Sequence, residues 1–162
     1  MEQYLEKQLG CLCKSVRPAD AHAVEAAKHH WNEIAKPLYG LGKFEELLVK
    51  IAGVQKTEDI CLNKKAVVVF CADNGVVAEG VTQTDSSVTA VVTENFARGI
   101  ASVNRMASVA GADVIPVDIG VMGEIKEPGV RNCRIANGTN NMRKEPAMSR
   151  EQALEAIHTG IR

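Results

Sequence analysis

The apolar run Val67-Val-Val-Phe-Cys-Ala72 ends abruptly in Asp73-Asn74-Gly75, and this junction constrains the fold more than any other part of the chain. A short continuous apolar stretch bounded by turn residues reads as a buried strand, here spanning 66–72. Val114 to Val121 repeats the pattern and also delivers a carboxylate, Asp118, followed by Gly120. Between the two runs, Val88, Val91, Val92, Phe96, Ile100, Val103 and Met106 predict one long helix from Ser87 to Ala110, stopped by Gly111. Strand, helix and strand in series predict a parallel sheet with right-handed crossovers. Ligands of open α/β sheets bind outside the carboxyl ends of the strands, so Asp73, Asn74, Gly75 and Asp118 are candidate binding residues. Each carboxylate has a second reading, as a turn or cap acceptor that organises its own loop.

The flanking segments are helical or irregular. Asp20 can cap a helix through Ala35, which the Lys36-Pro37 step ends because proline disfavours helix in the residue before it. Phe44, Leu47, Leu48 and Ile51 form one apolar face of a second helix, with Gly53 as its expected stop. From Gly123 to Lys144 the chain is expected to be irregular, with at most one short strand near Arg134-Ile-Ala136. Ser149 and Gln152 form a capping-box pattern that opens a last helix through Ile157. Two firm strands are fewer than the four to six usual in an open sheet, so an incomplete α/β domain is expected.

Composition narrows the function classes. With 162 residues, 46% hydrophobic and 24% charged, the chain fits one soluble globular domain. A net charge of -1 argues against a dedicated nucleic-acid or membrane surface. The charged start Met1-Glu-Gln-Tyr-Leu-Glu-Lys7 does not fit a signal peptide, and a cytoplasmic location is expected. Five cysteines at irregular spacing fit neither a disulfide framework nor a zinc site, and they are read as reduced thiols. Neither a metal nor a cofactor is expected, and His22, His29 and His30 read as solvated or packed. No G-x-G-x-x-G or G-x-x-x-x-G-K-[ST] loop is present. Glu79 has two readings, a solvated loop glutamate or a stand-in general base.

Several pieces in order carry a resemblance to a known family. They are Lys36-Pro-Leu-Tyr-Gly-Leu-Gly-Lys-Phe-Glu-Glu46, Phe70-Cys-Ala-Asp-Asn-Gly-Val76, Glu79-Gly-Val-Thr-Gln-Thr84 with Val88-Thr89, and Glu94-Asn-Phe96. Ala110 to Val121, Gly138-Thr139 with Asn141, and Glu145-Pro-Ala-Met-Ser149 follow. Together they resemble the first half of nicotinate-nucleotide–dimethylbenzimidazole phosphoribosyltransferase, a family of cobalamin lower-ligand assembly.

The resemblance implies a partial Rossmann-like parallel sheet preceded by an N-terminal helical segment. Residues 1–56 would belong to the family's small domain and 57–162 to the first half of its α/β domain. It implies phosphoribosyl transfer from nicotinate mononucleotide to 5,6-dimethylbenzimidazole or a related base, and a homodimer. By position it carries over Thr84 and Val92 as neighbours of the benzimidazole. Val92 stands where some members have glutamine, and Asn74 where most have histidine. Asparagine cannot shuttle a proton, which excludes a titrating role at position 74. The family's general-base glutamate and glycine-rich phosphate segment would lie beyond Arg162, so no catalytic residue is expected here and the chain is expected to be inactive alone. The competing expectation is a non-catalytic module that binds an aromatic base or another subunit.

Overall fold

In the computed structural model, which describes all of residues 1–162, the chain opens with a helix that no sequence signal marked, α1 (Glu2–Ser15). Glu2 in its first turn and Lys14 in its last complement the helix dipole, and none of its residues is buried. Residues Cys13–Asn63 form a helical unit, while Met1–Leu12 and Lys64–Arg162 form an α/β unit.

The helical unit rests on α2 (Ala21–Glu33) and α3 (Lys43–Gln55). Asp20 caps α2 as expected, its Oδ1 accepting the Ala23 N–H at 2.8 Å. Gly53, the expected stop of α3, lies buried inside it, and the helix ends at Lys56 in the left-handed conformation (φ 58°). Space, not termination, explains this glycine. A Cβ there would sit 2.7 Å from Val24 Cγ2 and 3.1 Å from Ala19 Cβ, so its absence lets α3 approach α2. The connection between the helices is held by one ion pair. Lys36 Nζ lies 2.8 Å from Glu45 Oε1, which also accepts the Leu41 N–H at 2.9 Å. Both side chains are largely buried, and the ammonium stands 5.4 Å from the centre of the Trp31 ring. The Lys36 hydrogen bond, with the Leu41 N–H, holds the Glu45 carboxyl below the usual carboxylate range.

The α/β unit contains the expected parallel sheet. Strand β1 (Ala66–Ala72) pairs in parallel with β2 (Asp113–Gly120), from Ala66 opposite Asp113 to Cys71 opposite Asp118. A one-residue irregularity then sets Ala72 opposite Gly120. A two-residue strand, β3 (Arg131–Asn132), lies on the far side of β2, giving the order β1-β2-β3. It precedes the expected position at Arg134–Ala136, where the chain continues along β2 through hydrogen bonds from Cys133 N to Asp118 O and from Ile135 N to Ile119 O. The Arg134 N–H instead turns to the Asn132 side chain, which ends the regular ladder.

The helix expected over 87–110 is two helices, α4 (Ser87–Ala97) and α5 (Ser102–Ala110). Gly99 takes φ 76° and breaks the ladder. Asn104 then joins the two ends: its Oδ1 accepts the Ala101 N–H and its Nδ2 donates to Phe96 O. Gly111 stops α5 as expected, at φ 62°. The last helix, α6 (Arg150–Ile161), starts with the expected capping box of Ser149 and Gln152. It meets α1 through His158 Nε2, which donates to Leu5 O at 2.9 Å, and through the Arg150–Glu6 pair.

The expectation of a fully buried β1 needs correction. Cys71, on one face, is buried, whereas Val68 and Phe70 on the opposite face are 49% and 48% exposed. Helices cover that strand from one side, so an all-apolar sequence is buried in alternation.

Two outcomes follow for the helical unit, whose Trp31 is the chain's single tryptophan and therefore reports on it selectively. Gly53→Ala gains helix propensity but overpacks the contact with Val24 and Ala19, for a net loss of about 1 kcal/mol in urea unfolding followed by fluorescence. Because the Glu45 pKa is depressed in the folded state, its contribution is present above the unfolded value of about 4.3 and disappears as pH falls through the folded value. Glu45→Gln should therefore flatten the acid limb of the Trp31 unfolding curve; an unchanged limb would refute the assignment.

Candidate functional site

The carboxyl ends of β1 and β2 are joined by two buried carboxylates. Asp73, 3% exposed, follows β1 and accepts the Met122 N–H on Oδ2 at 2.8 Å. Its backbone N–H donates to Gly120 O and its carbonyl accepts from Thr139 N, both at 3.0 Å. Asp118, 2% exposed, caps the turn after its own strand, with Oδ1 accepting the N–H groups of Gly120 at 3.1 Å and Val121 at 2.9 Å. Its Oδ2 is bound by the Arg134 guanidinium, through Nε at 2.9 Å and Nη2 at 2.8 Å. Arg134 donates onward to Gly123 O at 2.7 Å and to Asn137 Oδ1 at 3.2 Å. Asp118 thus has protein donors on both oxygens, and Asp73 on one. The second sequence reading, loop organisation, describes their geometry.

Gly75 is required by close approach and not by a turn conformation. A Cβ at this position would lie 2.4 Å from Thr139 O and 2.5 Å from Asn140 C, both backbone atoms that cannot yield cheaply. Its N–H donates to Thr139 Oγ1 at 3.2 Å, which ties the short 3₁₀ helix Gly75–Glu79 to the segment from residue 139. Glu79 seals the same seam. Asn141 Nδ2 donates to its Oε1 at 2.6 Å, and Arg143 Nη1 lies 3.1 Å from Oε2. Glu79 is therefore neither the solvated glutamate nor the free base considered above. Thr139, Asn141, Gly75 and Glu79 all lie in motif pieces of the sequence, but their pairing across 62 to 64 positions is visible only in the structure.

The structure places the remaining candidates outside this buried junction. Asn74 is exposed at the head of the 3₁₀ helix, with its carbonyl accepting from Val77 N and no cap bond from its side chain. Thr84 is exposed in the loop leading to α4, its N–H donating to Thr82 Oγ1 at 3.4 Å. Val92 is 37% exposed on α4, beside Val88 and Val91 at 40% and 57%, so this helix presents apolar surface. The inner side of α4 is pinned. Ala90 and Ala97 meet Gly123 and Gly129, while Glu94 accepts the Lys126 N–H at 2.8 Å and pairs with Arg98. The Lys126 N–H, and then the Arg98 charge, hold the Glu94 carboxyl below its ordinary range. Burial pushes the Cys71 thiol up, which makes it a packing residue and not a nucleophile. No cluster of three or more His, Cys, Asp or Glu side chains is arranged to hold a metal ion.

A parallel α/β sheet with a loop platform at its strand ends defines a class in which small molecules are held at those loops. Residues 16–162 match the family model described as Phosphoribosyltransferase, and the chain belongs to that family. It is 38% identical over 148 residues to the nicotinate-nucleotide–dimethylbenzimidazole phosphoribosyltransferase of Clostridium tetani, covering 91% of this chain and 41% of that protein. The enzyme of the same name from Ruminiclostridium cellulolyticum is 41% identical over 147 residues, covering 91% and 42%. The crystal structure of the Thermus thermophilus enzyme of that name matches with a TM-score of 0.79 at 37% identity, covering 87% of this chain and 43% of that one. The chain spans less than half the length of these relatives.

Asp118→Ala leaves Arg134 and two turn N–H groups without their acceptor, with an expected loss of about 3 kcal/mol, read as a fall of roughly 6–12 °C in the thermal midpoint. Gly75→Ala should separate the 3₁₀ helix from the 139–141 segment, with faster amide exchange at Gly75 and Thr139. Wild-type midpoints and exchange rates in these variants would show that the junction does not hold the platform.

Proposed function

We propose that this chain supplies the base-binding part of a phosphoribosyltransferase that moves the ribose phosphate of nicotinate mononucleotide onto 5,6-dimethylbenzimidazole or a related base. The observation that carries this reading is the identity of 38–41% over nine-tenths of the chain to enzymes named for that reaction. In the reaction a benzimidazole nitrogen bonds to C1′ of the ribose, the C1′–nicotinate bond breaks, and the nitrogen's proton passes to a base. The products are α-ribazole 5′-phosphate and nicotinate. Positioning and proton removal supply the rate.

The proposed contacts divide by position. Thr84, Val92 and Asn74, all exposed around the 3₁₀ helix and α4, face the base, while Asp73, Gly75 and Asp118 hold the loops that carry them. Asp118 is committed to backbone N–H groups and Arg134, and Glu79 to Asn141 and Arg143, while Asp73 accepts the Met122 N–H on one oxygen. These 162 residues also hold no glycine-rich phosphate loop. The chain therefore binds a base without turning it over unless further residues complete the site. The same reading divides the chain into residues 1–56, from the family's small domain, and 57–162, from its α/β domain. It also includes a homodimer and a cytoplasmic location; no helix is long and apolar enough to cross a membrane.

The test combines binding and turnover on the purified chain. Saturable binding of 5,6-dimethylbenzimidazole is expected, weakened at least tenfold by Thr84→Trp and strengthened roughly two- to tenfold by Val92→Gln, which restores a hydrogen-bonding side chain. Nicotinate release from nicotinate mononucleotide is expected to be independent of the base. Base-dependent release would show that catalysis resides in these residues, and absence of binding would refute the base-site assignment.

A further inference from the structure

Helices α2 and α3 leave a groove between them, and every residue that lines it belongs to the helical unit. Val24, Lys28 and Trp31 line it from α2 at helical spacing, and Glu45 and Val49 line it from α3. Tyr39, in the connection between the helices, completes the wall. The groove holds about 830 Å³, inside the range of roughly 300–1,000 Å³ that small-molecule sites occupy.

Two features distinguish it from a plain gap between helices. The first is Glu45, whose side chain is only 7% exposed and whose Oε1 takes both the Lys36 ammonium and the Leu41 N–H. Its Oε2 has no hydrogen-bond partner. That oxygen is not sealed from solvent either, because every fully buried side-chain polar atom of the chain has a partner. Since Glu45 lines the groove, Oε2 is an acceptor open to it. The second feature is Tyr39, which takes φ 56° although it is not glycine and leaves its ring 77% exposed. A bulky residue kept in the left-handed region carries backbone strain, of the kind that collects at ligand sites.

The chemistry of the walls selects the ligand. Trp31, half-buried, and Tyr39 offer aromatic surface on which a flat ring stacks. An entirely apolar guest would strip water from Oε2 and supply no donor, and an anion would meet a like charge. The lysines of the groove do not reverse this: Lys28 pairs with Glu25 at 2.6 Å, and Lys50 stands one turn from Glu46. We propose that the α2–α3 groove is a second small-molecule site, which takes a neutral bicyclic aromatic with a ring N–H, stacked on Trp31 and Tyr39 and donating to Glu45 Oε2. Its residues include none of those proposed to face the base, and it does not rest on the phosphoribosyltransferase reading.

The probe is indole, whose ring nitrogen donates and does not accept, compared with N-methylindole, which has the same rings and no N–H. Trp31 is the chain's single tryptophan, so the full chain labelled with a nitrogen isotope gives one side-chain indole signal in a magnetic resonance titration. A saturable shift of that signal by indole is expected, with N-methylindole bound roughly tenfold or more weakly because Oε2 is then covered unpaired. In Glu45→Gln the amide oxygen stays with Lys36 and the Leu41 N–H, which turns the NH2 toward the groove, and indole binding should fall by a similar factor. Tyr39→Gly removes the ring and relieves the positive φ. Binding to it should fall roughly threefold or more while the urea midpoint of the helical unit holds or rises, and that pairing separates a lost site from a lost fold. An unmoved Trp31 signal, equal binding of the two probes, unsaturable shifts spread over the exposed leucines, or undiminished binding to Tyr39→Gly would each overturn the proposal.

Discussion

The ion pair between Asp118 and Arg134 fixes the end of the sheet on which the loop platform depends. One oxygen of the carboxylate closes the turn after β2, and the other holds Arg134, which in turn reaches the Gly123 carbonyl and the Asn137 side chain. A buried carboxylate and a part-buried guanidinium are costly to desolvate, and they persist here because hydrogen bonds satisfy both partners. Asp73 completes the arrangement from the neighbouring strand by accepting from Met122, so the loops after β1 and β2 are set against each other.

From this junction the rest of the platform follows by contact. Gly138, at φ 76°, passes close to the Asp73 carbonyl and brings Thr139 and Asn141 to Gly75 and Glu79. The 3₁₀ helix is held on that side, and α4 is held by its own contacts with the 123–129 segment through Glu94, Ala90 and Ala97. The exposed side chains proposed to face the base, Asn74, Thr84 and Val92, then sit on elements anchored from beneath. Rigid support under an exposed contact surface is what positioning requires.

The helical unit shows the same logic on a smaller scale. Lys36 and Glu45 form a largely buried pair between α2 and α3, and the Leu41 N–H joins it. The sequence marks Lys36-Pro37 as a helix end and Lys36 to Glu46 as a family piece, but not the ion pair between Lys36 and Glu45 nine positions on. Gly53 departs from its expected role for a related reason. A glycine near the end of an apolar pattern signals a stop, yet here it is selected by the Val24 and Ala19 side chains across the helix pair.

Local chemistry was legible wherever it acts within a few residues. The apolar runs at 66–72 and 114–121, the caps at Asp20 and Ser149 and the stop at Gly111 could all be read because each cause and its effect are neighbours in the chain. The break at Gly99 was missed because apolar spacing continues across it, while the bonds that settle it come from Asn104. The family was also legible, since its pieces keep their order. Tertiary structure alone decided that Asp73 and Asp118 face inward, that Gly75 is fixed by Thr139, and that Val68 and Phe70 stand half-exposed in an apolar strand. A sequence specifies which side chains alternate along a strand; which face is covered depends on where distant helices pack, and which carboxylate is occupied depends on donors brought from up to 64 positions away.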